Sequence, residues 1–364
     1  MTSQYVVEAA GIVLYRFKKG ACLPKIAEFP AVNPIKLSEN LPDDVELCII
    51  HRPRYDDWSW PKGKLEANET HRHAAVREGC EETGVFPVLT VPLAEQSYEI
   101  SSEGKKNQKN SPRGKRKHVM YWIARCLPEE TADSPRFKAF GAVREPDKRE
   151  IDEIQWLSPK KARKKLTRDD DKKLIDIFCA KVREGALFAS TLLILRHGKA
   201  ERRKSWDGKE SDRPLTPKGA ATAYAQTRET ACFAPDRLFT SPWRRCADTL
   251  SFYANPTGMP LKNCEALTED EFALDESKAE EFFRSEVLRL AQNPGSVSCV
   301  CMHRPVLGGI FPDLAKMCVN KTVRAKLPAA NPWLPTAHAV AVSVIIASDG
   351  PKIIDVQKVN PIVY

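Results

Sequence analysis

Apolar residues in the first half of the chain are grouped in short runs. Residues 6–17 and 45–53 are rich in β-branched residues and are bounded by polar or proline-containing segments, which is typical of strands. A polar insert at 101–118 separates two further apolar runs, as an enlarged and mobile hairpin loop would. Charged helical spacing over 167–182 then closes a first unit.

The second half of the chain shows a different pattern of apolar and polar segments. The run STLLILRHGKA, residues 190–200, is an apolar strand that ends in a short polar motif. Strand-or-loop segments then alternate with helical ones, which favours an α/β sheet with crossover connections. Since 364 residues exceed one ordinary domain, we predict a first domain over 1–186 and a second over 187–364.

The composition indicates the charge of the binding partners and the cellular compartment. The 57 Lys and Arg residues exceed the 48 Asp and Glu residues, and the net charge of +9 suits anionic partners. The 11 cysteines show no paired zinc spacing, so we expect free thiols in a reducing cytoplasm. The N-terminus lacks a basic start with a long apolar run, and residues 339–347 are too short to cross a bilayer. We therefore expect neither secretion nor membrane insertion.

The strongest chemical signal is a glutamate-rich helix over residues 69–83, with Asn68 or Thr70 as its cap and Gly84 as its end. Residues three and four apart share a helical face, so three of its glutamates present their carboxylates side by side. No lysine lies between residues 65 and 104 to neutralise them. Mg²⁺ or Mn²⁺ would supply that charge, since hard cations prefer carboxylate oxygens. The three glutamates are Glu78, Glu81 and Glu82.

This segment resembles the Nudix family, whose motif is a glycine, a glutamate six residues on, then Arg-Glu, Glu-Glu and a second glycine at fixed spacing. The positions that match are Gly63, Glu69, Arg77, Glu78, Glu81, Glu82, Gly84 and Val85. Gly79 departs from the motif, which usually has an apolar residue there, and should cost about 0.5–1 kcal/mol of helix stability. The resemblance implies an α+β fold with a mixed sheet between helices.

The resemblance also implies the chemistry, which is hydrolysis of a phosphoanhydride bond by a water molecule that divalent metal polarises. Arg77 would orient the glutamates, and one of the helix carboxylates, or a loop glutamate such as Glu150 or Glu153, would act as the base. The implied metal ligands are the Gly63 carbonyl together with Glu69, Glu78, Glu81 and Glu82.

Positively charged residues precede the glutamate-rich helix in the sequence. Mobile positive side chains beside a metal site suit a long polyphosphate chain, because each phosphate adds charge to be neutralised. The candidates for substrate binding are Arg52, Arg54, Lys62 and Lys64. This segment resembles the MutT-type bacterial Nudix enzymes, which implies oxidised guanine nucleotides such as 8-oxo-dGTP and 8-oxo-GTP, or dinucleoside polyphosphates, as substrates. Tyr121 or Trp122 is a candidate to stack on the base, although strand alternation sends one of them into the core.

The second half carries a separate constellation of phosphate-binding residues. Arg196 and His197 end an apolar strand, where open α/β sheets place their sites. Arg245 and His303 each follow another apolar stretch. Two arginines and two histidines could enclose one phosphate, with a neutral imidazole attacking phosphorus to form a phosphohistidine.

This combination resembles the histidine phosphatase superfamily and its small SixA-like branch, which implies an α/β fold. The resemblance makes His197 the nucleophile, with Arg196, Arg245 and His303 as the phosphate pocket. Glu269 becomes the candidate proton donor to the leaving oxygen, with Glu265 and Glu271 nearby in sequence. Lys199 stands where an acidic or amide residue is common, which leaves the phosphatase substrate open.

The order of the two resemblances is that of two-domain bacterial MutT proteins, so we expect a metal-dependent nucleoside polyphosphate pyrophosphohydrolase followed by a phosphatase domain. Diadenosine polyphosphate hydrolysis is the alternative within this class, and a phosphate-sensing or RNA-associated binding protein is the alternative from another. The basic insert has no interleaved aromatic residues for base stacking, so no stable nucleic-acid complex is expected. A solvated loop and a lid for polyphosphate both fit the insert, and no pattern indicates an oligomeric state.

Overall fold

The computed structural model describes residues 6–18, 44–99, 116–126, 134–145 and 147–363. Most of the basic insert at 101–118 lies outside these ranges. The described chain forms two compact units, the first from 6–18, 44–99, 116–126 and 142–182, and the second from 134–141 and 183–363. Residues 134–141 join the second unit because Arg136 donates to the carbonyl of Ala234 and Tyr253 donates to that of Arg136. The domain boundary at 186/187 stays a prediction.

The first unit is built on a seven-stranded mixed sheet. Its strands are β1 Val6–Phe17, β2 Val45–Arg52, β3 Asp57–Ser59, β4 Lys62–Lys64, β5 Pro87–Glu99, β6 Arg116–Cys126 and β7 Glu153–Leu157. The order is β3-β2-β1-β6-β5, with β4 paired to β1 and β7 to β2. Strands β1 and β6 run parallel, and every other pair is antiparallel. The helices are α1 His71–Thr83, α2 Pro159–Lys165 and α3 Asp169–Arg183.

Helices cover both faces of this sheet. Successive residues of a strand point to opposite faces, and Ile12 of β1 contacts the backbone of Gly79 in α1 while Tyr15 packs against Phe178 of α3. A Cβ at Gly79 would lie 2.6 Å from Ile12 Cδ1. The glycine that departs from the Nudix motif therefore lets the glutamate helix lie close to the sheet.

The second unit contains a six-stranded sheet of order β10-β9-β11-β8-β12-β13. Its strands are β8 Ser190–Arg196, β9 Arg237–Thr240, β10 Leu261–Asn263, β11 Val297–Met302, β12 Ala339–Ala347 and β13 Gly350–Val359. The first four in chain order are mutually parallel, and β12 and β13 are antiparallel. The helices are α4 Pro217–Ala231, α5 Arg244–Thr257, α6 Glu269–Leu274, α7 Ser277–Gln292, α8 Arg304–Met317 and α9 Lys321–Arg324. The predicted α/β class is confirmed for both units.

Among the residues described, no helix is both long and apolar enough to span a bilayer. The cysteines in the same ranges are free thiols, and several, including Cys48, Cys80 and Cys299, are buried in the cores.

Candidate active sites

Helix α1 begins and ends where its sequence directs. The Thr70 side chain accepts a hydrogen bond from the backbone N–H of His73 at 3.1 Å, so Thr70 rather than Asn68 is the cap. Gly84 ends the helix in the left-handed conformation with φ 69°. The glutamates of the last two turns are thereby held on a helix with defined ends.

Two of the predicted metal-binding carboxylates converge on one guanidinium nitrogen. Arg77 Nη1 donates to Glu78 Oε1 and to Glu81 Oε2, both at 2.9 Å. Glu82 lies on the adjacent turn, and its Oε2 accepts the backbone N–H of Lys62 at 2.7 Å. The three side chains that spacing placed on one helical stripe are therefore gathered between α1 and β4.

The charges of this group are poorly compensated. Burial, followed by the charge of Glu78, raises the pKa of Glu82 to about 8, although Lys62 acts in the opposite direction. Burial is also the largest cause of the raised pKa of Glu78, against which Arg77 acts. A raised carboxyl pKa means that ionisation is costly in the bare protein. A divalent cation would offset that cost, and all of the donors are hard oxygen atoms suited to Mg²⁺ or Mn²⁺.

Gly63 lies directly against Glu78. A Cβ at residue 63 would stand 1.9 Å from Glu78 Cδ, and 2.1 Å from each of its carboxylate oxygens. Only glycine leaves the carboxylate this room, which explains why the motif begins with one. The role of the Gly63 carbonyl as a metal ligand stays a prediction.

Glu69 has different partners from the other three glutamates. Arg77 donates to both of its carboxylate oxygens at 2.8 Å, His73 Nδ1 lies 2.7 Å from Oε1, and the backbone N–H of Glu66 donates to Oε2. Although burial acts to raise it, these hydrogen bonds lower the pKa of Glu69 to about 2. Both oxygens of Glu69 are thus engaged and hold Arg77 in place, and its role as a metal ligand stays a prediction.

The four predicted substrate cations fall into two pairs. Lys62 is buried, and its ammonium group donates to Ser59 Oγ and to the Trp60 carbonyl. Arg52 forms a two-pronged ion pair with Asp57 at 2.7 and 2.5 Å. The expectation of mobile cations is wrong for these two, because each is already held by polar partners. Arg54 and Lys64 are exposed, as that expectation requires.

Both aromatic candidates for base stacking are buried. Tyr121 is 1% exposed and Trp122 is 3% exposed, because each face of the sheet is covered. Sequence spacing places Asp171 only in a charged helix and does not predict that it is buried. The Asp171 Oδ2 atom and the Tyr121 hydroxyl are both buried without a hydrogen-bond partner among the described residues. Among the neighbouring charges, that of Asp171 has the largest effect on the pKa values of Tyr121 and Lys62.

Asp171 is anchored close to the glutamate site. Its carbonyl accepts a hydrogen bond from Trp60 Nε1 at 2.9 Å, two residues before Lys62. The charges of Asp171 and Glu82 both act to raise the pKa of Lys62, against the effect of burial. The loop glutamates Glu150 and Glu153 are exposed, one in a turn and one at the start of β7, and the choice of base stays open among the named carboxylates.

The second site is assembled by strand register. Arg196 of β8 pairs with Met302 of the parallel strand β11, so the next residues, His197 and His303, emerge together at the carboxyl edge of the sheet. Their ring centroids are 5.1 Å apart. The sheet therefore brings together two histidines more than 100 positions apart in the chain.

His197 has the state that a nucleophile needs. Burial, and then the neighbouring charge of His303, lower its pKa well below the ordinary value, so the imidazole is neutral. Its Nδ1 donates to the Gly198 carbonyl at 2.7 Å, which leaves the lone pair on Nε2. The Gly198 N–H is held by Thr249 Oγ1 at 2.8 Å, which fixes this loop against α5.

The two predicted arginines also lie at this edge. Arg245 is fully buried, with Nη2 donating to Glu269 Oε1 and Nη1 to the Glu210 carbonyl, both at 3.0 Å. Its guanidinium stacks 4.5 Å from the centroid of Trp243. Arg196 donates to the carbonyls of Leu334 and Pro332. Both guanidinium groups are thus positioned before any ligand arrives.

Glu269 lies within this group among positively charged side chains. Arg245 and Arg203 donate to its two oxygens, and His303 Nδ1 is 3.4 Å from Oε1. Burial acts to raise the pKa of Glu269, but the hydrogen bonds and charges of His303 and Arg245 lower it strongly. In the structure Glu269 therefore anchors Arg245, and its role as proton donor to the leaving oxygen stays a prediction.

His303 has further partners that the sequence analysis missed. Its Nε2 lies 2.9 Å from Ser241 Oγ and 3.4 Å from Cys246 Sγ. Burial acts to lower its pKa, but Cys246 and Glu269 together raise it. Ser241 and Cys246 flank Arg245 in the segment SPWRRC, so that motif contained the signal.

Comparisons with known proteins relate two successive parts of the chain to two families. The family model described as NUDIX domain matches residues 41–178, and that of the histidine phosphatase superfamily (branch 1) matches residues 192–301. A protein of Mycolicibacterium smegmatis named 8-oxo-(d)GTP phosphatase is 32% identical over 309 residues, which cover 85% of this chain and 81% of that protein.

Two more distant similarities each cover one part of the chain. A putative mutator protein MutT4 of Mycobacterium tuberculosis is 25% identical over 120 residues, which are 33% of this chain and 40% of that protein. The crystal structure of a putative phosphohistidine phosphatase SixA from Agrobacterium tumefaciens is 20% identical, with a TM-score of 0.33, and covers 46% of this chain and 96% of that one.

Proposed function

Because the chain belongs to the Nudix hydrolases, as a two-domain member with a histidine phosphatase domain after its Nudix domain, we propose that it hydrolyses oxidised guanine nucleotides. It is a hydrolase of phosphoanhydride bonds with a phosphatase as its second domain, so the hypothesis of a binding protein without catalysis is set aside. The proposed substrates are 8-oxo-dGTP and 8-oxo-GTP, in keeping with the name of the mycolicibacterial relative. The proposed role is cleaning of the nucleotide pool, and hence protection of DNA, in the cytoplasm.

The observation that carries the proposal is the carboxylate group on α1. Arg77 holds Glu78 and Glu81 from one nitrogen, while Glu82 is fixed by the backbone of Lys62. Nudix hydrolases generally use divalent metal ions, and we propose Mg²⁺ here, with Mn²⁺ as a substitute. When bound, such a cation neutralises phosphate charge and makes water a better nucleophile. The protein holds these carboxylates in a fixed orientation through the hydrogen bonds from Arg77 and from the backbone of Lys62.

Support for a guanine-type base comes from Asp171. Its buried Oδ2 atom lacks a hydrogen-bond partner among the described residues, and a buried acceptor is stable only if something donates to it. The base-pairing edge of guanine carries N–H donors, which a carboxylate accepts well. Asp171 is linked through Trp60 to the segment that holds Lys62, so the base and the polyphosphate would bind to adjoining parts of one unit.

In the second unit we propose hydrolysis of a phosphomonoester. The Nε2 of His197 attacks phosphorus as the bond to the leaving oxygen breaks, and the leaving oxygen takes up a proton to depart as the alcohol. Water then attacks phosphorus and breaks the P–N bond, which releases phosphate and restores the imidazole. Arg196 and Arg245 hold the phosphate oxygens. The raised pKa of His303 supports a charged imidazolium beside the phosphate.

Product analysis with the intact chain tests the proposal. Ion chromatography would follow 8-oxo-dGTP, 8-oxo-GTP, dGTP and diadenosine tetraphosphate with Mg²⁺, and would separate a monophosphate with pyrophosphate from a diphosphate with phosphate. We expect kcat/KM to be highest for the oxidised guanine nucleotides. A higher kcat/KM for diadenosine tetraphosphate would identify the dinucleotide as the substrate instead. Equal kcat/KM values for dGTP and 8-oxo-dGTP would contradict the proposed role in cleaning the nucleotide pool.

The His197→Ala variant separates the two units. It should retain Mg²⁺-dependent cleavage of the triphosphate and lose hydrolysis of p-nitrophenyl phosphate. Loss of both activities in a folded variant would contradict two independent sites.

A further inference from the structure

A second group of metal-binding side chains lies in the first unit, apart from the glutamates of the Nudix motif. Glu8 Oε2 is 2.7 Å from His71 Nε2 and 2.8 Å from His118 Nδ1. These three atoms all lie within 4.8 Å of one another. We refer to Glu8, His71 and His118 as the Glu-His-His cluster.

The cluster is fixed by the backbone of three separate elements. Glu8 of β1 and His118 of β6 are direct partners in the parallel register, so their side chains leave the sheet side by side. His71 is the first residue of α1, immediately after the Thr70 cap. The imidazole rings of His71 and His118 meet edge to face, with centroids 5.8 Å apart. Rigid strands and a capped helix therefore point three ligand atoms at one place.

We propose that the Glu-His-His cluster binds a divalent transition-metal ion of the zinc class. Two imidazoles and one carboxylate form a ligand set that suits Zn²⁺, whereas Mg²⁺ avoids imidazole and prefers oxygen ligands. This site is thus chemically distinct from the carboxylate group formed by Glu78, Glu81 and Glu82.

The spacing is compatible with a bound ion. Zn–N and Zn–O bonds of about 2.0–2.2 Å in a tetrahedral site put neighbouring ligand atoms about 3.3 Å apart. The present separations of 2.7 and 2.8 Å are those of hydrogen bonds, so an outward movement of about half an ångström at each side chain would admit the ion. Side-chain rotation alone can supply such a movement.

Access and a fourth ligand are also available. The side chains of His71 and His118 are 26% exposed and that of Glu8 is 42% exposed, so an ion can enter from solvent. Glu95 of β5 lies beside the other nitrogen of His118, with Oε2 3.5 Å from Nε2, and would orient this imidazole. A water molecule can complete four-coordination. A bound ion would tie the start of the glutamate helix to strands β1 and β6, and should stabilise the first unit.

Titration of the full-length chain with Co²⁺, in excess Mg²⁺ to saturate sites made only of carboxylates, tests the proposal. Tetrahedral Co²⁺ with nitrogen and oxygen ligands absorbs in the visible region without the intense near-ultraviolet band of thiolate ligation. We expect one such Co²⁺, displaced by Zn²⁺, and its binding should weaken by about a hundredfold or more in His71→Ala and in His118→Ala.

Two controls isolate the cluster. His51→Ala removes another partly buried histidine of the same unit, one that contacts Asp152 and Asp56 instead. His303→Ala removes the histidine that could bind metal with His197 and Glu269 in the second unit. Both should keep the Co²⁺ signal, and Zn²⁺ should raise the Tm of the His51→Ala protein as it does that of the wild type.

Equal Co²⁺ affinity in His118→Ala and wild type, with circular dichroism showing both folded, would overturn the proposal. Loss of the signal in His303→Ala alone would overturn it as well, by assigning the ion to the second unit. If either histidine variant fails to fold, His71→Gln and His118→Gln replace it, since these keep the volume and a hydrogen bond to Glu8. None of these outcomes depends on the nucleotide proposed as substrate.

Discussion

The carboxylate of Glu78 occupies the space that a side chain at Gly63 would take. A Cβ at Gly63 would be 1.9 Å from Glu78 Cδ. Because residue 63 has no side chain, Glu78 of helix α1 can lie directly against strand β4. The position of Glu78 therefore depends on this glycine.

The first prediction concerns this contact. Gly63→Ala should displace the carboxylate of Glu78 from Glu81 and Glu82, because real Cβ atoms do not approach another heavy atom so closely and the flexible end of Glu78 is what must move. We expect the Mg²⁺ concentration for half-maximal nucleotide hydrolysis to rise and kcat to fall. Hydrolysis of p-nitrophenyl phosphate by the second unit should be unaffected. Unchanged Mg²⁺ dependence would show that Glu78 does not need its present position.

The second prediction separates a metal ligand from a residue that positions one. Glu82→Gln should reduce Mg²⁺-dependent kcat/KM by about a hundredfold or more while leaving the metal-free protein at least as stable, because it removes a buried carboxyl whose ionisation is costly. Glu69→Gln should destabilise the protein by about 1–3 kcal/mol, because Arg77 and His73 lose a charged partner. Urea unfolding and kinetics on both variants would test this contrast. Similar stability losses in the two would contradict it.

The third prediction is a pH dependence of stability. In the metal-free protein the pKa of Glu82 is raised to about 8 from an ordinary value of 4.5, so between these values the folded state binds more protons than the unfolded state. The contribution of Glu82 is therefore fully present below about pH 4.5 and is lost as the pH rises through about 8. We expect the Tm of the wild type, measured against that of Glu82→Gln, to fall from pH 5 to pH 8. Saturating Mg²⁺ should remove the decline, and a flat difference without metal would refute the assignment.

The fourth prediction concerns Glu269. As an anchor of Arg245, it should contribute equally whatever oxygen leaves, so Glu269→Gln should lower kcat/KM to a similar extent for p-nitrophenyl phosphate and for an alkyl phosphate. A proton donor would instead matter mainly for the alkyl phosphate, whose alkoxide leaves poorly, by about 10²–10⁴-fold. Steady-state kinetics on the two substrates would distinguish the roles. A loss confined to the alkyl phosphate would support the role of donor.

Local sequence was sufficient for the elements that carry the two sites. The spacing of Glu78, Glu81 and Glu82 predicts one helical stripe, and the structure gathers them between α1 and β4. The motif around His197 predicts the end of a buried strand, and β8 ends at Arg196. These inferences depend on helix and strand periodicity, which neighbouring residues determine by themselves.

The expectations that the structure does not bear out concern how side chains pack and which donors lie beside them. Lys62, predicted to be mobile, is buried and donates to Ser59 and to the Trp60 carbonyl. Tyr121 and Trp122 are both buried because helices cover both faces of the sheet. A charged side chain is mobile, metal-binding or ionised according to which donors lie beside it, and that depends on packing.

The sequence by itself determined which residues are capable of chemistry and the secondary structure on which they lie, since both follow from side-chain type and short-range spacing. Only the tertiary structure decided how protons and hydrogen bonds are shared among them. Burial lowers the pKa of His197 and charged neighbours lower that of Glu269, and in both cases the surroundings are contributed by other strands and helices. The meeting of Glu8 with His71 and His118 likewise depends on three separate elements. Electrostatic energy depends on distance through space and on exposure to water, and position along the chain specifies neither.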